Sequence, residues 1–244
     1  MDYLITNLFK ILDLTKIKEF TVEAGRPDTI TRDKLNVLKK HGVTRIGRRH
    51  SVEDIVDCYY MARDLGFDNI NMDLILGLPG ESPAMVEETM KKIIDLDPES
   101  VTVHTLALKR ASDLNINLQD HKNDLTNYRN MVEMIDISRT YMEENGYKPY
   151  YMYRQKHMLG NLENIGYAKP GYECLYNMQI MEEKQSNYAI GAGAVSKFVY
   201  LDENRIERVD DVKNLDHYLA RIDEMIDKKY KEVAKNVNKS TKRN

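Results

Sequence analysis

Apolar residues recur every three or four positions across 4–14 (LITNLFKILDL), the spacing of a short amphipathic helix. Residues 19–23 (EFTVE) alternate instead, which predicts a strand ending at Ala24-Gly25-Arg26-Pro27. Thr31 is placed to cap a helix over 32–40, with Gly42 as its left-handed terminating residue. Val43 to Ile46 opens like a strand and stops after four residues, at Gly47-Arg48-Arg49-His50. Ser51 caps the next helix, whose stripe is Ile55, Cys58, Tyr59, Ala62 and Leu65. Asn69 to Leu76 (NINMDLIL) predicts a parallel strand covered on both faces, because its apolar content is nearly continuous. Ser82-Pro83 opens a further helix, and Val101 to Leu108 (VTVHTLAL) reads as the following strand.

This alternation over 4–108 argues for parallel strands joined by helical crossovers, a fold that binds ligands at the C-terminal strand ends. Those ends present Glu23, the segment 47–50, Asp73 with Gly77, and Ala107. Past residue 115 the texture changes. A polar linker (114–122) precedes a long helix over 124–145, a Tyr-rich segment over 147–176, a glycine loop over 188–194 and a strand over 196–201. A helix is expected over 210–225, and the basic residues from 228 onward read as a fraying end. The expected organisation is therefore residues 1–115, a smaller α+β domain over 116–228, and a disordered tail over 229–244.

A net charge of −3 gives no global attraction to nucleic acid or anionic lipid, so neither is expected as a partner. No apolar run approaches the roughly 18 residues of a spanning helix, and the first residues lack the cationic stretch of a signal peptide. Two cysteines point to a reducing, cytoplasmic setting. The absence of Trp beside 16 Tyr and 13 Met is assigned to an AT-rich coding background at least as much as to function.

Four segments in order resemble the radical S-adenosylmethionine (SAM) family of oxygen-independent coproporphyrinogen III oxidases. They are Glu19–Ala24 (EFTVEA), Gly47–Ser51 (GRRHS), Asn71–Glu81 (NMDLILGLPGE) and Tyr188–Ser196 (YAIGAGAVS). Tyr153–Lys156 and Gly160–Asn164 are similar to the coproporphyrinogen dehydrogenase subgroup of Gram-positive bacteria. The resemblance implies a TIM-like radical SAM barrel and the decarboxylation of coproporphyrinogen propionates to vinyl groups in haem biosynthesis. It also implies SAM and a four-iron cluster as cofactors, the cofactor carrying the hard chemistry. Glu23, Arg48 and Asp73 fall on the family's SAM-contacting positions; Ala107 and Val195 match further SAM contacts. Carboxylates suit the ammonium and ribose diol of SAM, and an Arg fork suits its carboxylate. Arg154 and Lys156 are candidate partners for tetrapyrrole propionates.

The family's cluster motif, CxxxCxxC, has no counterpart here, since Cys58 and Cys174 stand apart and in unrelated contexts. Arg45-Ile46 also joins Gly47-Arg48 directly, where the family carries the rest of a strand and a loop. The expected fold is thus an incomplete barrel, inactive alone, with a companion chain as one source of the front half. A non-catalytic haem-binding protein of the same fold is the alternative. Simpler roles stay open for single residues: helix capping for Asp73 and Glu23, an ion pair for Arg48, core packing for Cys58. The aromatic and cationic segment 147–157 fits domain packing, a porphyrin or a nucleic-acid surface.

Overall fold

The computed structural model describes residues 1–12, 17–23, 30–43, 45–48, 52–106, 127–154 and 162–240. Its main element is a six-stranded sheet with two parts. Strands β1 (Thr21–Glu23), β2 (Arg45–Arg48), β3 (Ile70–Leu76) and β4 (Ser100–Thr105) are parallel neighbours in that order. Strand β6 (Asn164–Ala168) then pairs antiparallel with β4, and β5 (Lys148–Tyr153) closes the edge. Pro149, which lacks an amide donor, is accommodated on that edge strand beside a bulge between Pro149 and Tyr151.

Helices α1 (Asp2–Ile11), α2 (Arg32–Lys40), α3 (Val52–Asp64) and α4 (Pro83–Leu96) alternate with the parallel strands. Two caps follow the sequence reading. Thr31 accepts from the amide of Lys34 at 3.3 Å, and Ser82 accepts from that of Met85 at 3.4 Å with Pro83 behind it. Gly42 adopts φ 73°, the left-handed turn expected of it. Helix α5 (Tyr128–Glu144), capped by Asn127, packs on α4.

The pleat separates two chemistries. Ile70, Leu74, Leu76, Val101, Val103 and Tyr167 face two apolar clusters. One is built with α4 and α5, the other with α1, α2 and α3. Met90, Met131, Met134 and Met142 are fully buried in the first, so part of the methionine content fills irregular core space. The opposite face carries Asn71, Asp73, Ser100, Thr102 and His104. Strand β3 has no exposed residue, in line with a strand covered on both faces, but its second face is polar. Its polar positions are too few to break the apolar run, yet their period of two puts them all on one face.

Three further readings change. Gly47 and Arg48 complete strand β2, Gly47 pairing with both β1 and β3 and Arg48 with β3, so the strand runs through the Ile46–Gly47 junction without a break. The first compact unit extends over Met1–Leu175, past the expected boundary at 115, because β6 and β5 extend the same sheet. The second unit, Tyr176–Asn244, holds the hairpin of β7 (Val195–Tyr200) and β8 (Arg205–Asp210) with two helices, α7 (Leu215–Ala220) and α8 (Ile222–Ser240). A short helix, α6 (Leu175–Met181), lies at the division. Residues expected as one helix over 210–225 are the end of β8 and these two helices. Most of the presumed tail belongs to α8, whose Met225 and Glu232 are buried.

Candidate functional site

The polar face is organised around a directional chain of hydrogen bonds. Ser100 and Thr102 donate their hydroxyls to Oδ1 of Asn71, at 3.0 and 3.3 Å. The amide nitrogen of Asn71 donates to Oδ1 of Asp73 at 2.9 Å. Because the single proton of Thr102 is spent on Asn71, the hydroxyl of Tyr151, 3.4 Å away, is the donor of that pair. His104 extends the row: its Nε2 lies 3.6 Å from Oδ1 of Asp73, within ion-pair reach though longer than a hydrogen bond. Its Nδ1 lies 3.1 Å from the hydroxyl of Tyr153.

Tyr151 and Tyr153 stand on the edge strand, yet their hydroxyls reach Thr102 and His104 on β4. The rings therefore cross β6. They are parallel within 4°, with centroids 6.1 Å apart. Tyr151 crosses at Gly166, its register partner, where a Cβ would stand 1.8 Å from Cε1 of the ring. Burial pushes the Tyr151 hydroxyl well above its ordinary range, with Tyr150, Tyr153 and Asp73 adding to the effect, so it stays protonated. Asp73 and His104 keep 26% and 21% of their side-chain surface in solvent, which leaves both reachable by a ligand.

Of the residues singled out from sequence, Glu23 and Arg48 are placed by their backbones, each as the last residue of its strand. The register sets Glu23 beside Gly47 and Arg48 beside Met72, one residue before Asp73. The Glu23 and Asp73 positions thus share the face of Asn71, whereas Arg48, level with Met72, alternates to the other face at the strand end. Val195 begins β7 in the second unit and is 42% exposed. The glycine loop before it is bound to the following chain by Gly193 N–H to Val212 O and Asp211 N–H to Ala194 O, both 2.9 Å. Arg154 is exposed and pairs with Glu163 at 2.9 Å. Ala107 and Lys156 lie outside the described residues.

Sequence reasoning missed Asn71, Thr102, His104, Tyr151, Tyr153 and Gly166 as one surface. The alternation in Ser100–Thr105 (SVTVHT) was the available signal, and Tyr151 and Tyr153 repeat it two residues apart. Among the described residues, no group of three or more His, Cys, Asp or Glu is arranged to hold a metal ion. No helix among them is long and apolar enough to cross a membrane.

Residues 19–93, which carry β1 to β3 and most of α4, match the Radical SAM superfamily. Across 245 aligned residues the chain is 42% identical to the oxygen-independent coproporphyrinogen-III oxidase-like protein HemZ of Bacillus subtilis, covering 94% of this chain and 48% of that protein. The chain belongs to the radical SAM family of oxygen-independent coproporphyrinogen III oxidase-like proteins. It is also 30% identical to the haem chaperone HemW of Bacillus subtilis, over 85% of this chain and 54% of that one. In structure it resembles coproporphyrinogen III oxidase (HemN) from Escherichia coli, a radical SAM enzyme, with a TM-score of 0.63 at 19% identity. That match covers 92% of this chain and 54% of the enzyme. The chain spans about half the length of the curated relatives it matches. The shared fold accounts for the parallel strands as a partial, TIM-like radical SAM sheet, whose polar face holds the Asn71–Asp73–His104 row.

Proposed function

We propose that this chain forms the SAM-side and tetrapyrrole-facing part of a coproporphyrinogen oxidase-like protein, whose parent reaction converts propionate side chains to vinyl groups. The observation that carries this reading is the register that sets the Glu23 and Asp73 positions on one face at the ends of neighbouring parallel strands, with Arg48, level with Met72, at the end of the strand between them. Asp73 is the residue best supported for holding SAM, because Asn71 turns its carboxylate into a fixed, half-buried acceptor suited to a ribose diol or an ammonium. Glu23, Arg48, Ala107 and Val195 are proposed to complete the SAM contacts, and Arg154 and Lys156 to meet propionates. To do so, Arg154 would exchange Glu163 for the substrate carboxylate.

SAM fits these residues and supplies, when bound, the radical chemistry of the family. The iron–sulfur cluster does not fit. The chain offers two thiols, Cys58 within α3 and Cys174, which is buried and donates to Glu19 at 3.2 Å. Cluster thiolates would have to come from polypeptide outside these 244 residues, such as a companion chain. The second reading, a non-catalytic haem or tetrapyrrole carrier, is favoured by the identity to the haem chaperone and by the same thiol count.

Anaerobic equilibrium dialysis of the full chain against SAM separates the two. The first reading expects saturable binding that weakens about tenfold or more in Asp73→Ala, the loss of one charged hydrogen-bonding group. A chain that ignores SAM and takes up haem stoichiometrically is the carrier. Reconstitution with iron and sulfide is expected to leave no stoichiometric cluster, and a stable one would overturn the thiol argument.

A further inference from the structure

Nitrogen approaches Oδ1 of Asp73 from two directions. Nδ2 of Asn71 reaches it from two residues back on β3, at 2.9 Å, and Nε2 of His104 reaches it from β4, at 3.6 Å. The register pairs Asp73 with Thr102 and Ile75 with His104, so His104 lies diagonally across from Asp73 on the same face. A carboxylate oxygen at that separation attracts an N–H and repels a ring lone pair, which places a proton on Nε2. In the neutral ring Nδ1 is then the acceptor, and the Tyr153 hydroxyl, 3.1 Å away, is its donor. Tyr153 is itself confined. Its ring stands parallel to that of Tyr151, within 4° and with centroids 6.1 Å apart, and Tyr151 reaches Thr102 at 3.4 Å.

We propose that His104, oriented by Tyr153, is a positioning residue for Asp73. Its Nε2–H edge fixes the rotation of the Asp73 carboxylate, and so the geometry in which that carboxylate meets the ribose diol or ammonium of SAM. The proposal rests on the reading above that Asp73 holds SAM. His104 acts without touching the ligand. The Cβ–Cγ torsion of an aspartate is soft, and a single donor from Asn71 leaves the carboxylate room to swing. A second N–H, brought from a neighbouring strand, removes that freedom before the ligand arrives, so binding costs less ordering.

The test is anaerobic equilibrium dialysis of the full chain against SAM. His104→Leu should weaken binding about three- to tenfold, the scale of one hydrogen bond. His104→Gln, whose side-chain amide presents an N–H at the Nε2 position, should restore most of the affinity. In an Asp73→Ala background His104→Leu should change nothing further, because its effect passes through that carboxylate. Tyr153→Phe should weaken binding less than His104→Leu and should shift the tautomer of His104, read from its ring nitrogen resonances. In the parent the same spectra should show the proton on Nε2, with no ligand present. Circular dichroism identifies folded variants, and His104→Asn, which withdraws the N–H from Asp73 and keeps a polar side chain, replaces His104→Leu if that variant does not fold. Binding that falls in Asp73→Ala and is unchanged in His104→Leu overturns the proposal and leaves the SAM reading standing. An equal loss in both backgrounds, or a ring protonated on Nδ1 alone, also overturns it. Absence of saturable binding, or binding indifferent to Asp73→Ala, overturns the SAM reading and the proposal together.

Discussion

The ring of Tyr151 lies across Gly166, so close that a Cβ built on the glycine would meet Cε1 at 1.8 Å, Cδ1 at 2.3 Å and Cζ at 2.8 Å. The space over β6 is already filled by the tyrosine. Gly166→Ala should therefore cost about 1–3 kcal/mol, the usual penalty of overpacking. Urea unfolding would measure it. In a Tyr151→Ala background the same substitution should cost much less, and the difference between the two backgrounds is the coupling of this pair. Additive losses would mean that the ring does not occupy this position.

Asn71 is the joint of the polar row, accepting from Ser100 and Thr102 and donating to Asp73. Asn71→Asp keeps the acceptor, removes the donor and sets a second carboxylate beside Asp73. The expected loss is about 1–3 kcal/mol. Two close carboxylates raise the proton affinity of the pair in the folded state. The folded state then holds a proton that the unfolded chain has released, so stability falls as pH rises through that window. Unfolding should show a larger deficit at pH 8 than at pH 5, and a deficit independent of pH would contradict the arrangement.

In the second unit the side chain of Asp211 is fully buried, and Lys229 meets its Oδ2 at 2.6 Å. Oδ1 has no hydrogen-bond partner among the described residues. Lys229→Met leaves a buried carboxylate uncompensated and should cost about 3–5 kcal/mol. Adding Asp211→Asn should recover part of that loss in chemical denaturation, since the unpaired charge is then gone.

Tyr200 donates its hydroxyl to Oε1 of Glu232 at 2.5 Å, and burial followed by the neighbouring carboxylate pushes its pKa up to about 12. In the unfolded chain it ionises near its ordinary value of 10.0. Between those two values the folded state keeps a proton that the unfolded state loses, so this interaction weakens as pH rises. Tyr200→Phe should lose about 1–2 kcal/mol at neutral pH. Its stability should also decline less than that of the parent between about pH 10 and 12. Parallel slopes for the two proteins would show that Tyr200 is not the group responsible.

Much of the first unit was legible in the sequence because local rules governed it. Thr31 and Ser82 cap helices wherever such residues precede an apolar stripe, and Gly42 ends one because a left-handed turn favours glycine. The runs around Val22, Ile70 and Val101 are strands for reasons contained in their own residues. The order of motifs identified the family, and the comparisons bear that out. The change in composition near 115 does not coincide with the division between the compact units at Leu175, because β6 and β5 extend the first sheet.

What the sequence by itself determined is therefore the alternating elements up to β4, their parallel order and the family to which the chain belongs. Only the tertiary structure decided how those elements make a site. That Tyr151 and Tyr153 cross β6 to reach Thr102 and His104 depends on the antiparallel return of β6 and on its register with β4 and β5. The residues involved are separated by 49 positions in the chain. Hydrogen-bonding between strands so distant sets which glycine lies beneath which ring, and nothing in the local pattern of either segment encodes that pairing.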